Sequence, residues 1–279
     1  MTDCTVRTVV DALDSRYPRD WAESWDRVGL VLGEFDAPVT RVLCVVDCVP
    51  ETVEQALDAG ADLIVAHHPL FLKPVSSIAP DTFKGALVHR LIRAGVALYT
   101  AHTNADVANP GVSDALAARL DLTGLRPLVP AVGAAAGEGR GPGRIGTLPA
   151  PMTLAALTRF AAERLPATAA GVRAAGDPER LIGTVAVCGG AGDSFLADAA
   201  RAGADAYLCA DLRHHPVSEH LAAGGPALLD VAHWASERPW LDDVAAWLRA
   251  EVGVEVLVSD LDTDPWTVHA IRDDLEIRP

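Results

Sequence analysis

The sequence predicts an α/β protein with largely parallel sheets and helices on their faces. Three observations carry that prediction. Short apolar runs of strand character alternate with helix-like stretches, as at 42–46, 50–59, 63–66, 82–94 and 96–100. Gly60 and Gly95 follow two of the helical stretches, where a helix C-cap is expected. Residues able to bind metal recur just past the ends of the strand-like runs. In open α/β sheets that edge carries the binding crevice, so chemistry is expected there.

The chain has 279 residues, long enough for one large domain or two ordinary ones. Its 23 basic and 38 acidic side chains give a formal charge of −15, which opposes attraction to nucleic acid or to an anionic membrane. A small anionic substrate stays open, because bound divalent cations reverse the local field. Every apolar run is interrupted before the roughly 18 residues that a membrane span needs. Met1-Thr2-Asp3-Cys4 lacks the basic and apolar pattern of a secretory signal, so a cytoplasmic protein is expected. Five cysteines without a Cys-x-x-Cys pair argue against a disulfide framework and a zinc knuckle.

Taken in order, residues 1–20 read as a helix, with Val6, Val9, Val10 and Leu13 on one face and Pro18 closing it. Residues 24–33 lead to a strand at 42–46, followed directly by Asp47. A helix over 50–59 begins with acid and ends at Gly60, and the next strand, Leu63-Ile64-Val65-Ala66, runs into His67-His68-Pro69. This is one βαβ unit. A helix over 82–94 and a strand over 96–100 follow, then Ala101-His102-Thr103-Asn104-Ala105-Asp106 and a helix over 112–120. Residues 126–147, rich in Pro, Gly and Ala, read as a loop and domain junction.

A second α/β region follows, with a helix over 153–164, a strand at 184–188, Gly189-Gly190-Ala191-Gly192 and a helix over 193–202. Ala59-Gly60-Ala61-Asp62 recurs as Ala202-Gly203-Ala204-Asp205, an offset of 143 residues, and each copy precedes a strand-like run. The echo points to a duplicated βαβ half. The last quarter holds Asp211-Leu212-Arg213-His214-His215, a strand over 227–232, a helix over 233–251 and a strand over 254–258. His233 and Glu237 open that helix at a spacing of four, which brings both to one face.

Two adjacent histidines leaving a buried strand need partners, and a metal is one such partner. Neighbouring strand residues point to opposite faces, so both rings meet one centre only where the strand has ended, and Pro69 supplies that ending. The alternative is a satisfied core histidine beside a solvated one. The glycine-rich turn at 189–192 lacks a following lysine and the Walker spacing, which favours a tight strand-to-helix turn over a phosphate cradle.

Trp25-Asp26-x-Val28-Gly29-Leu30, His67-His68-Pro69, His102-Thr103-Asn104-x-Asp106, Gly143-Arg144-Ile145-Gly146, Gly189-Gly190-x-Gly192, Asp211-x-x-x-His215, His233-x-x-x-Glu237 and Asp262-Thr263-Asp264-Pro265 occur in that order. In this the chain resembles the GTP cyclohydrolase 1 type 2 homologs, the NIF-three-like dinuclear metal-centre hexameric family. The resemblance implies two interlinked α/β lobes with a metal site in the cleft between them. It divides the chain into a first lobe over 1–125, completed by 233–279, and a second over 126–232. It implies His67, His68, Asp106, His233 and Glu237 as metal ligands, and a homohexamer built as a trimer of dimers. Where the family usually reads Gly-Asp-x-Lys, this chain has Ala210-Asp211-Leu212-Arg213. Longer members insert a further domain, for which 126–182 is too short.

Three imidazoles and two carboxylates suit two divalent ions such as zinc, manganese, iron, cobalt or nickel. Such a pair, roughly 3.5–4 Å apart, would hold a hydroxide that is nucleophilic near neutral pH, which points to hydrolysis. The family name implies GTP ring opening with loss of formate. A phosphoesterase using the same pair, or a metal-binding regulatory scaffold without turnover, stands as the alternative. His102 and His215 are the candidate proton-transfer or supporting groups, and His102 serves equally well as a loop-fixing residue. Asp211 is placed to orient His215, while Asp47 reads more readily as a turn or cap residue.

Overall fold

A computed structural model describes residues 4–270. The N-terminal tripeptide of the signal reading and the last nine residues of the predicted first lobe lie outside the described residues. The chain divides into two compact units: one comprises Met1–Val107 with Leu241–Thr263, the other Ala108–Trp240 with the chain from Asp264 on. The chain therefore enters each unit twice. The chain passes between the units after 107, 240 and 263, and residues 108–127 go with the second unit because they pair and pack with its sheet.

In the first unit, α1 (Val6–Arg16) buries the predicted stripe Val6, Val9, Val10 and Leu13. Thr5 caps it, accepting from Thr8 N. β1 (Gly29–Leu32), β2 (Arg41–Val45), α2 (Pro50–Asp58), β3 (Leu63–Ala66), α3 (Phe83–Ala94) and β4 (Ala97–Thr100) follow. β11 (Glu255–Val258) completes a five-stranded sheet of order β1-β4-β3-β2-β11. Three of its four pairings are parallel, and β1 alone is antiparallel. One face packs Leu43, Val45, Ile64 and Leu98 against Val53 and Ala56 of α2 and Leu87 and Leu91 of α3. On the other face Tyr99 donates its hydroxyl hydrogen to Asp14 of α1 at 2.7 Å. Gly95, at φ 72, ends α3 in the left-handed region predicted for it.

β4 runs on into the single helical turn α4 (Thr103–Asp106). The second unit begins with α5 (Val112–Arg119), β5 (Thr123–Pro127), β6 (Arg144–Thr153), α6 (Leu154–Arg164), β7 (Val172–Ala175) and β8 (Leu181–Ala191). It continues with α7 (Leu196–Arg201), β9 (Ala206–Ala210), α8 (His214–Ala222) and β10 (Ala227–Val231). The helix α9 (His233–Val252) starts in this unit and ends in the first. The sheet order is β5-β6-β8-β9-β10-β7, with a parallel centre β8-β9-β10 and antiparallel strands at its edges. Leu116, Leu154, Leu157 and Ala161 cover one face, Leu196, Ala199 and Val217 the other.

Residues 126–147 are not one loop, as β5 and β6 pair across their ends. Glycine, proline and exposed positions gave β5 no alternation to read, and its ladder is what makes it a strand. The connecting stretch is anchored by Arg144, only 1% exposed. Its guanidinium donates to Asp114 Oδ1 at 2.7 Å and to the carbonyls of Gly141, Gly143 and Ala108.

The sequence echo holds at the level of register. Val42 pairs with Leu63 in the first unit, and Val185 with Ala206 in the second, both at the same offset. Asp62 Oδ2 accepts from the amides of Thr40 and Arg41, and Asp205 Oδ2 accepts from those of Gly183 and Thr184. Both units are built on the same βαβ core.

Candidate metal centre

The first unit gathers three histidines past the ends of β3 and β4. The ladder to β2 continues two residues beyond β3, with His67 N bonded to Val45 O and His68 N to Val46 O. Past that point the two adjacent rings converge, their centroids 5.1 Å apart. His102, following β4, comes within 5.2 Å of the His67 ring and 5.5 Å of the His68 ring. One ring nitrogen from each of the three lies within 4.8 Å of the others, close enough to hold one metal ion. Asp106, at the end of α4, places Oδ1 3.7 Å from His67 Nε2.

Each ring is set from behind. His67, fully buried, turns Nδ1 to the Ala101 carbonyl at 2.9 Å. His68 turns Nδ1 to Asp47 Oδ1 at 2.7 Å, and the other oxygen of Asp47 accepts from Thr263 Oγ1 at 2.5 Å. His102 turns Nδ1 to Asp26 Oδ1 at 2.9 Å. Asp26 Oδ2 accepts from both the amide and the hydroxyl of Thr103. Burial alone would raise the Asp26 carboxyl, but the bonds from His102 and Thr103 outweigh it and hold it well below the usual carboxylate range. A histidine whose Nδ1 is bonded to a carboxylate or carbonyl is the tautomer that presents Nε2 to a metal.

The second unit supplies a carboxylate and an imidazole from the first turn of α9. His233 Nε2 lies 3.1 Å from Glu237 Oε1, and His233 Nδ1 lies 2.7 Å from Asp211 Oδ2. Burial lowers the His233 pKa, but the charges of Glu237 and Asp211 prevail and push it up to about 11. Asp211 therefore serves His233 and not His215. It sits at φ 59, in the left-handed region that a short polar side chain tolerates. His215 lies exposed on the first turn of α8, its ring against that of His214 at 5.2 Å. Arg213, the departure from the family pattern, pairs with Asp193 at 2.5 Å on the surface.

The glycines of 189–192 are accounted for by packing. A side chain at Gly189 would meet Val112, at Gly190 Glu237 and His233, and at Gly192 Tyr207 and Cys209. Gly189, Gly190 and Ala191 form the end of β8, where its ladder to β9 slips, so the stretch continues the strand and is not the tight turn expected. Sequence reasoning undervalued Asp47 and assigned Asp26 no role, because their partners lie 21 and 76 residues away. The signal for Asp47 was its place just after a strand, and for Asp26 its place in the Trp25-Asp26-x-Val28-Gly29-Leu30 motif.

A sheet edge dressed with oxygen-backed histidines, three of them close enough to hold one ion, defines an α/β protein with a candidate metal site. The chain belongs to the Duf34/NIF3 (NGG1p interacting factor 3) family, whose model matches residues 4–265. It is 54% identical over 266 residues to the "GTP cyclohydrolase 1 type 2 homolog" of Streptomyces coelicolor, covering 94% of this chain and 93% of that protein. The protein of the same name from Mycobacterium bovis is 39% identical over 365 residues, covering 93% of this chain and 96% of the relative. Among solved structures, the Bacillus cereus protein related to NIF3 superposes with a TM-score of 0.89 at 24% identity, over 96% of this chain and all of that one. That likeness speaks for the fold.

Proposed function

We propose that this chain is a hydrolase dependent on two divalent cations, with His67, His68, Asp106, His233 and Glu237 as ligands and GTP ring opening as its reaction. The observation that supports it most is the orientation of the three ligand histidines. Each has Nδ1 engaged by an oxygen, of Ala101, Asp47 or Asp211, which suits Nε2 for coordination. The donor set of imidazoles and carboxylates, without thiolate, matches zinc, manganese, iron, cobalt or nickel.

When bound, such a pair supplies Lewis-acid polarisation and activates water near neutral pH. The protein's own residues do the rest. Asp47 and Asp211 fix the rings of His68 and His233 and raise their basicity. His102, held through Nδ1 by Asp26, carries the proton that ring opening must move. His215, on the surface of α8, has no part in the reading of the site that we favour. The GTP substrate is drawn from the names of the relatives, and a cytoplasmic homohexamer built as a trimer of dimers belongs to the same proposal.

The test is to purify the protein with its native metal and follow formate release from GTP beside a panel of phosphoesters. Turnover of GTP that is lost in His68→Ala, with the oligomer intact, supports the proposal. Turnover of a phosphoester in place of GTP moves the reaction to phosphoryl chemistry. No turnover by metal-replete protein turns the reading to a metal-binding regulatory scaffold.

A further inference from the structure

The duplicated βαβ cores differ at one place that bears on the metal ligands. β2 pairs with β3 in unbroken register, whereas β8 slips between Val187 and Ala191 against β9. Gly190 sits in that slip at φ 68. A Cβ there would stand 2.4 Å from Glu237 Oε1 and 2.9 Å from His233 Nε2, closer than real contacts allow. The Gly190 amide donates to Ser236 Oγ at 2.8 Å, and that hydroxyl donates to the His233 carbonyl at 2.7 Å. Ser236 is fully buried. Strand irregularities of this kind re-aim neighbouring side chains, and here the irregularity is tied by hydrogen bonds to the first turn of α9.

We propose that Gly190 and Ser236 are positioning residues for metal binding: the bulge at 189–190 makes room for the Glu237 carboxylate, and Ser236 locks the bulge to the turn that carries His233 and Glu237. The inference rests on the proposed ligand role of His233 and Glu237. Gly190 has two reasons to be glycine, its backbone angle and the space it leaves, and they are separable. Gly203 has nearly the same backbone angle, φ 77, with nothing within 4 Å of a Cβ. An alanine at 203 therefore suffers the backbone strain alone.

The experiment uses Co(II) as probe on the full-length protein, read by its visible absorption, by calorimetric titration and by the metal content after dialysis. Wild type and Gly203→Ala are expected to bind Co(II) alike. Gly190→Ala is expected to bind about 10–100-fold more weakly, with a changed cobalt spectrum, the range seen when groups supporting metal ligands are altered. Ser236→Ala is expected to shift the spectrum in the same direction, with far-UV circular dichroism unchanged. If Gly190→Ala binds Co(II) as wild type does, the inference is overturned. If Gly190→Ala does not fold, Ser236→Ala decides, and a wild-type spectrum there overturns it. If wild type itself takes up no Co(II), the metal reading beneath it falls first, and the inference with it.

Discussion

The proposed metal site rests on single residues. Glu237 is 3% exposed, so replacing it with Gln removes a buried charge and, in the proposed site, an anionic ligand. Glu237→Gln is expected to lower metal content measured by elemental analysis, and full occupancy would remove Glu237 from the ligand set. Asp47→Asn breaks the bond that orients His68 and is expected to weaken metal binding by about 10–100-fold in a competition titration. His233 gives a pH dependence. Glu237 and Asp211 push its pKa up to about 11, so metal binding through this ring, as proposed, should release a proton. Zinc titrated in buffers of different ionisation enthalpy should reveal proton release, and apparent affinity should rise between about pH 6 and 8. A buffer-independent heat would refute it. The histidines were legible because adjacency at a strand end has few other uses. The carboxylates behind them were not, since an aspartate at a strand end reads equally as a cap until its partner is seen.

Elements repeat where residues do not. The aspartate pair Asp62 and Asp205 shows the duplication in hydrogen bonds, each tying the start of its third βαβ segment to the start of the first. Asp62→Ala leaves two amides without their acceptor and is expected to cost about 1–3 kcal/mol in urea unfolding. Burial raises the Asp62 pKa, but the bonds from Thr40 and Arg41 prevail and hold it below its ordinary value. Its contribution is therefore full above the unfolded value of about 3.9 and is lost as pH falls through the lower folded value. The acid limb of unfolding should flatten in Asp62→Ala. Arg144→Met leaves Asp114 without its guanidinium partner and is expected to destabilise by about 3–5 kcal/mol, read as a lowered Tm. The parallel core strands were readable as apolar runs, and capped helices by their stripes and glycines. The edge strands β1, β5 and β7 were not, being half-exposed and defined by antiparallel partners. α8 was missed because none of its side chains is buried, so no apolar face marked it.

At the scale of the whole molecule, the family and the two-sheet architecture were readable from motif order, and one of the points where the chain passes between its units falls inside a continuous helix. None of the described helices is long and apolar enough to cross a membrane. The proposed assembly predicts a solution mass near six times the 29.2 kDa of one chain by analytical ultracentrifugation, and a single-chain mass would refute it. The division within α9 carries one more consequence. β11, which flanks β2, follows every strand of the second unit in the chain, so during translation the first sheet keeps an open margin beside β2 until β11 emerges. Ribosome-bound chains stopped before residue 255 should accordingly engage chaperones and aggregate on release, and no contiguous fragment of this gene product can serve as a stand-in for either half.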